Sequence, residues 1–305
     1  MPSGRSRIAI IGEALVDDVP DAAGQRTDVP GGSGLNTALA VARLGLPVAL
    51  CASLSSDQSG RNLSSFLARE GVDLSFAQIS KKPCPRVIVT PGADGSPTYD
   101  LRLAGSALDD APDTWSLPGD LLHLHATSFA ATAGAQGQAA LCAMQQARNR
   151  ASTSFDPNIR KAILPDMAQT RALVAQRIAC ADLVKTSAED LDLIGAGTDL
   201  LAQWRNMGAK LIVVTQGALG ATAFFGAQEI HVPSPAVATR DTVGAGDTFM
   251  GAMLMAMQAD GALGRSTFTF APENIARWLE FATRAASINC TRIGADPPRL
   301  AELDP

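Results

Sequence analysis

Charged residues are scarce in this chain of 305 residues, and no stretch of it forms a long run of one sign. Asp, Glu, Lys and Arg make up 18% of the sequence, and the net charge is -5. A general nucleic-acid binder needs a basic face to neutralise phosphates, so this balance excludes that class of partner. No run approaches the ~20 apolar residues of a membrane span. The apolar stretch Ile8 to Ile11 is too short for the hydrophobic region of a signal peptide, and acids follow it. The five cysteines, Cys51, Cys84, Cys142, Cys180 and Cys290, are scattered and form no C-x-x-C pair. An odd, scattered set surrounded by small apolar residues fits buried free thiols in a reducing compartment. These absences predict a soluble, cytoplasmic protein with no nucleic-acid and no membrane partner. A Walker-type G-x-x-x-x-G-K-[ST] is also missing, and Gly12-Glu13-Ala14 after the first strand is no dinucleotide fingerprint.

What is present is apolar: 46% of the chain, enough for a large α/β domain with a full core. Ile8 to Ile11 reads as a buried first strand, and Gly31-Gly32-Ser33-Gly34 opens a helix from Leu35 to Leu44. Pro20 to Pro30 reads as a polar loop. Pro47 to Ala52 is a second strand and Asp57 to Glu70 an amphipathic helix. The rhythm then breaks: Arg86 to Thr90 and Thr98 to Leu103 are two strands with no helix between them. Such a hairpin belongs to an accessory sheet or lid, not inside a parallel sheet. Alternation resumes with strands at Leu121–His125, Ser152–Phe155, Leu183–Lys185 and Leu211–Thr215, and helices at 135–150, 187–194 and 199–207. A β-rich stretch covers Ala221 to Val232, and long helices follow at 244–258 and 272–290. His123 and His125 alternate on one strand and read as half-buried strand residues. The expected architecture is α/β: a mostly parallel central sheet flanked by helices, with a small β lid. Ligands in such sheets bind beyond the carboxyl ends of the strands.

The most informative segment is Asp241-Thr242-Val243-Gly244-Ala245-Gly246-Asp247-Thr248-Phe249. Two glycines flanking an alanine open a long apolar helix, whose first-turn N–H groups and dipole favour an anion. Asp247 in that turn would accept a proton from an attacking hydroxyl. Taken alone, such a segment reads as a tight turn with an acid complementing the dipole. A second segment, Gly31-Gly32-Ser33-Gly34-Leu35-Asn36 running to Leu44-Gly45, points to a hydroxylated ligand. Its glycines admit close approach, and Asn36 offers donor and acceptor. Asp17 would accept further hydroxyl hydrogens.

Together the two segments resemble the two signatures of the ribokinase-like (phosphofructokinase-B type) carbohydrate kinases, in the same order and about 200 residues apart. The resemblance runs from Ile8 to Pro298. It implies one ribokinase-like kinase domain over 1–305, with lid segments at about 13–30 and 84–106, and a homodimer through the lid. It implies Asp247 as the base and Gly244, Ala245 and Gly246 as the anion hole. Asp17, Gly32, Asn36, Arg102, Asn158 and Arg160 would hold the sugar. Lys185, Thr215, Gly217, Gly220, Thr242, Gly244, Gly246 and Thr283 would hold ATP, with Val237 to Thr239 and the last helix flanking adenine. Glu189 would meet magnesium through water, and Asp241, Val243 and Gly294 would bind a monovalent cation such as potassium. Ser187 stands where the family usually has the asparagine of N-x-x-E, and Thr283 where many relatives have an asparagine.

Cys290-Thr291-Arg292-Ile293-Gly294-Ala295-Asp296-Pro297-Pro298 and Tyr99-Asp100-Leu101-Arg102 are similar to the matching segments of bacterial fructokinases. Fructose, giving fructose 6-phosphate, is therefore the first choice of acceptor. 2-Keto-3-deoxygluconate, ribose and a nucleoside are the alternatives. The rival outside the class is a sugar or nucleotide sensor without catalysis, and it predicts damage at the base or anion hole.

Overall fold

A computed structural model of the chain describes residues 7–20, 24–91, 97–195 and 198–303. The first half contains β1 (Arg7–Ile11), β2 (Leu15–Pro20), β3 (Arg26–Gly31), α1 (Ser33–Arg43), β4 (Val48–Cys51), β5 (Ser53–Ser55) and α2 (Gln58–Arg69). It continues with β6 (Gln78–Ser80), β7 (Arg86–Pro91), β8 (Pro97–Arg102), β9 (Leu121–Thr127), α3 (Ser128–Thr132), α4 (Gly134–Ala147) and β10 (Ser152–Asp156). The second half contains α5 (Met167–Ile178), β11 (Leu183–Ser187), α6 (Ala188–Leu193), α7 (Thr198–Asn206) and β12 (Leu211–Thr215). It closes with β13 (Ala221–Phe225), β14 (Gln228–Val232), α8 (Ala245–Ala259) and α9 (Pro272–Cys290).

Eight strands form the main sheet in the order β14-β13-β12-β11-β10-β9-β1-β4. Six of them run parallel, and β13 and β14 turn back antiparallel at one edge. Both faces are covered, as parallel strands require. On one face α1, α8 and α9 pack Leu35, Val41, Phe249, Met253 and Trp278 onto Ile8, Ile10 and Val213. On the other, α4, α5 and α7 bring Met144, Ile178 and Trp204 onto Ile11, Leu124 and Ile212. Met250 and Met257 are buried beside Met253, so the late helix uses its methionines as core filler. A Cβ on Gly34 would sit 2.6 Å from the Gly12 carbonyl carbon, so two glycines let the start of α1 dock directly on the end of β1.

The β7–β8 hairpin lies outside the main sheet, in a second sheet of order β3-β2-β7-β8. The loop expected over Pro20 to Pro30 is a correction: Leu15 to Pro20 pairs antiparallel with Arg26 to Gly31. β3 is polar because it is an edge strand. Arg26, Thr27 and Asp28 are exposed, and an edge tolerates Pro30 because the missing donor need not meet a partner strand. His123 and His125 are fully buried rather than half-buried, because β9 is central and covered on both faces. Ser152 and Ser154 of β10 satisfy both His123 nitrogens at 2.7 Å, and Ser154 meets His125 Nδ1 at 2.8 Å. Burial pushes the His123 ring down to about 3 and holds His125 well below its ordinary value, so both rings are neutral. Helix α5 was not anticipated. Its Arg171 and Arg177 blur the apolar stripe, yet Arg177 is buried and caps the carbonyls of Ala131 and Gly137 at 3.0 and 2.6 Å.

Candidate active site

The parallel strands deliver their carboxyl ends to one edge of the sheet, and the residues just past them meet the start of α8. Gly244 caps that helix with φ 72°, a left-handed value that favours glycine. Ala245 N–H is engaged by the Thr242 carbonyl at 3.2 Å. Gly246 and Asp247 follow in the first turn, where no earlier carbonyl of the helix is in reach. A Cβ on Gly246 would lie 2.7 Å from Lys185 Nζ, so this glycine leaves room for an ammonium group against the helix start. Lys185, from β11, is buried and pairs with buried Asp156 of β10 at 2.8 Å. Burial pulls its pKa down, but the Asp156 carboxylate and the acids beyond it outweigh this and hold the amine charged. The helix dipole, free N–H groups and a fixed cation therefore converge on one small space, the requirement for an anion hole.

Asp247 is 6% exposed. Its Oδ2 accepts the Asn36 amide at 2.9 Å, which joins α8 to α1. Burial raises its pKa, and Asn36, Lys185, Arg160 and Ser33 act in the opposite direction. A carboxylate with a raised pKa is a stronger base than one in water. Asn36 Oδ1 is buried without a hydrogen-bond partner, an acceptor still open to a ligand hydroxyl. Gly32 caps α1 at φ 100° and Asn158 takes φ 36°, so the two turns that flank Asp247 both leave the usual backbone basins. The Asn158 amide donates to the Ser33 hydroxyl, linking those turns. Asp17 lies on β2, and burial pushes its carboxyl up to about 6.

Other residues expected at the site are placed as follows. Arg160 is exposed beside this cluster. Arg102, at the end of β8, is exposed and bound to Asp100 at 2.7 Å. Thr215 ends β12 with its hydroxyl toward the Thr186 carbonyl at 3.4 Å, and Gly217 and Gly220 bound the tight turn after it. Thr242 is exposed just before the helix cap. Thr283 is buried in α9 and lines a cleft of about 450 Å³ with Val232, Pro233, Pro235, Phe281 and Arg284. The wall opposite α9 is thus the exit from β14, a few residues before Val237. Asp241 accepts the N–H groups of Val243 at 3.0 Å and Gly294 at 2.8 Å, which draws the three together. Beside them Asn289 donates to the Val243 carbonyl at 2.8 Å and keeps a buried Oδ1 without a partner.

Sequence reasoning passed over several members of this site. Glu189 is exposed, whereas Asp190 is buried, accepts the N–H groups of Ile159 and Ser187, and closes a capping box with Ser187. The signal was present as S-x-x-D at a helix start. Asp156, the partner of Lys185, received no role of its own, and Glu13, immediately after β1, was used only to exclude a fingerprint.

Comparison with known proteins bears on the family and the fold. Residues 5–301 match the model of the pfkB family carbohydrate kinases. A fructokinase of Rhizobium leguminosarum bv. trifolii is 34% identical over 268 residues, covering 84% of this chain and 81% of that protein. The crystal structure of a fructokinase from Xylella fastidiosa with bound ATP superposes with a TM-score of 0.88 at 27% identity, covering 98% and 97% of the two chains. A double mutant of the Vibrio cholerae O395 fructokinase, crystallised with fructose, ADP and potassium ion, gives a TM-score of 0.80 at 27% identity, covering 98% and 97%. A glycine-capped helix start with a buried carboxylate in its first turn accompanies a family match over almost the whole length, and that match places this chain in the pfkB family of carbohydrate kinases.

Proposed function

We propose that this protein transfers the γ-phosphoryl group of ATP to fructose, giving fructose 6-phosphate, with Asp247 as general base. The observation that carries the reading is the placement of buried Asp247 between Asn36 and the glycine-opened start of α8, with Lys185 Nζ against Gly246. Asp17, Gly32, Asn36, Asn158 and Arg160 would hold the sugar, and the open acceptor of Asn36 supports that role. Asp247 would take the proton from the attacking hydroxyl while Gly244, Gly246 and Lys185 stabilise the charge gathering on the transferred group, and the Ala245 N–H would join them only on leaving the Thr242 carbonyl. Thr215, Gly217, Gly220 and Thr242 would follow the phosphates, with Thr283 in the cleft that would take the base.

Two metal cofactors would complete the site. Magnesium would enter on the ATP phosphates, with Glu189 meeting it through water, and would supply charge neutralisation there. The Asp241 carboxylate, which holds the Val243 and Gly294 N–H groups, and the buried, unpartnered Asn289 Oδ1 are the oxygens that would take a hard monovalent cation such as potassium. The second sheet would act as a lid, and Arg102 would reach the sugar only after leaving Asp100. That sheet is also the surface through which two copies would pair. The described residues contain no helix long and apolar enough to cross a membrane, and the five cysteines are free. Both support a cytoplasmic site of action.

A coupled ADP-release assay across fructose, 2-keto-3-deoxygluconate, ribose and nucleosides tests the substrate. Fructose should give the highest kcat/KM, and a preference for another acceptor would move the assignment within the family. The sensor reading predicts no ADP release with any of them.

The sugar pocket makes its own prediction. Asn36→Ala and Asp17→Ala should each raise KM for the sugar, by about 1–3 kcal/mol per lost hydrogen bond, with ATP affinity largely unchanged. Burial raises the Asp17 carboxyl to about 6. The ionised form accepts hydroxyl hydrogens at both oxygens with charge assistance, and the protonated form accepts fewer and more weakly, so in the wild type KM for the sugar should climb as pH falls below that value. Asp17→Asn should bind weakly at every pH and lose the dependence. Loss of ATP affinity with sugar affinity intact would mean the pocket is reversed.

A further inference from the structure

Glu13 is a buried acid for which the phosphoryl-transfer scheme has no task. It follows Gly12 just beyond β1 and is 2% exposed. Its Oε1 accepts the Ser33 N–H at 2.8 Å, and its main-chain carbonyl accepts the Leu35 N–H at 3.1 Å. Both grips fall on the first turn of α1, the turn that also presents Asn36 to Asp247. The fit is tight, since a Cβ on Gly32 would come within 2.6 Å of the Glu13 carbonyl oxygen. Glu13 Oε2 is buried without a hydrogen-bond partner at these distances. The hydroxyl that approaches the carboxyl belongs to Ser128, whose φ of 70° is rare for any residue but glycine. A strained backbone at this point, with an unpaired buried oxygen, indicates that the surroundings hold the carboxyl in place for a purpose other than stability.

We propose that Glu13 is a positioning residue for the catalytic base, clamping the first turn of α1 as a neutral carboxylic acid so that Asn36 and Ser33 set the place of Asp247. The inference rests on Asp247 being the base. Its logic is one of charge. Facing Glu13 are Asp247 from α8, Ser33 from α1 and Ser128 from α3. Lys185 and Arg160 act on Asp247 and are not among the groups that act on Glu13. Two carboxyls in one buried space do not both ionise readily. Asp247 has an amide, a hydroxyl and two cations favouring its anion. Glu13 is opposed first by burial and also by the charge of Asp247, with only two backbone N–H groups and the Ser128 hydroxyl in favour, and its pKa rises to about 7. Environments that drive two carboxyls apart in this way assign one as base and leave the other its proton. Above that pH an ionised Glu13 would set a second negative charge beside Asp247 and the incoming phosphate.

The test uses the full-length enzyme with Glu13→Gln, Glu13→Ala and Asp247→Asn assayed together on the best acceptor. Glutamine mimics the neutral acid, accepting the Ser33 N–H with its oxygen. Glu13→Gln should keep a rate close to wild type at pH 7 and lose the decline in kcat/KM that the wild type shows above about 7. Glu13→Ala should lose about 10²-fold in kcat through misplacement of the base, with ATP affinity retained as evidence of folding. Wild-type kcat in Glu13→Ala, or an unchanged alkaline limb in Glu13→Gln, would overturn the inference. A dead Asp247→Asn alongside an active Glu13→Ala sinks this inference alone. An active Asp247→Asn removes the base assignment and this inference with it.

Discussion

Asp247→Asn should lose about 10²–10⁴ in kcat, the usual loss when a general base is removed. Asparagine keeps the shape, can still meet Asn36 after an amide flip, and is tolerated in a first helical turn. Folding and ATP affinity should therefore persist. The change also removes a charge from a site where burial already disfavours it, so thermal stability should hold or rise slightly. If Asp247 only complemented the helix dipole, the same substitution would cost a few tenths of a kcal/mol in stability and nothing in rate. Single-turnover measurement with both substrates saturating separates these outcomes, because it isolates the chemical step from product release.

Lys185→Met should damage the protein in two separable ways. The pair with Asp156 is buried on both sides, with side chains 5% and 1% exposed. Removing one partner of such a pair leaves an unpaired buried charge and costs about 3–5 kcal/mol. The substitution also removes the cation at Gly246, and loss of one such stabilising group typically lowers kcat by about 10²–10³. The double variant Lys185→Met/Asp156→Asn should regain most of the stability, since asparagine is neutral, while its rate stays low. Thermal unfolding and kcat measured on the same samples decide the matter. Recovery of rate together with stability would reduce Lys185 to a structural counter-ion. Lys185→Arg is not a conservative alternative. A Cβ on Gly246 would already come within 2.7 Å of the ammonium, so the larger guanidinium has no room against the helix start.

Much of the fold was legible because burial and periodicity agreed. Ile8 to Ile11 alternates with nothing polar, and Pro272 to Cys290 opens with proline at its first position and keeps one apolar face, so strand and helix were both readable. Where a residue's neighbours come from distant segments, the sequence said less. β3 looks like a loop until β2 lies beside it. The stripe of α5 includes Arg177, which becomes a core residue only when the Ala131 and Gly137 carbonyls meet it. The three-residue β5 and β6 are too short to show a period.

The site divides in the same way. Gly244 to Asp247 and Gly31 to Asn36 carry their chemistry in local spacing, so both could be read directly. That Asn36 holds Asp247, that Lys185 fills the space Gly246 leaves, and that Glu13 grips Ser33 are facts of docking between elements far apart in the chain. Asp190 illustrates a finer limit. It neighbours Glu189, and only the helical phase of α6 decides which of the two is buried against Ile159.

Phosphoryl transfer to a fructose hydroxyl is the centre of this account, and ³¹P NMR of the wild-type enzyme with ATP, magnesium and fructose tests it most directly. The γ-phosphate resonance of ATP should disappear as ADP and a phosphomonoester appear in equal amounts, with the ester phosphorus coupled to the C6 protons of the sugar. Appearance of inorganic phosphate in place of the ester, or an unchanged ATP spectrum with active-site residues intact and the protein folded, would contradict it.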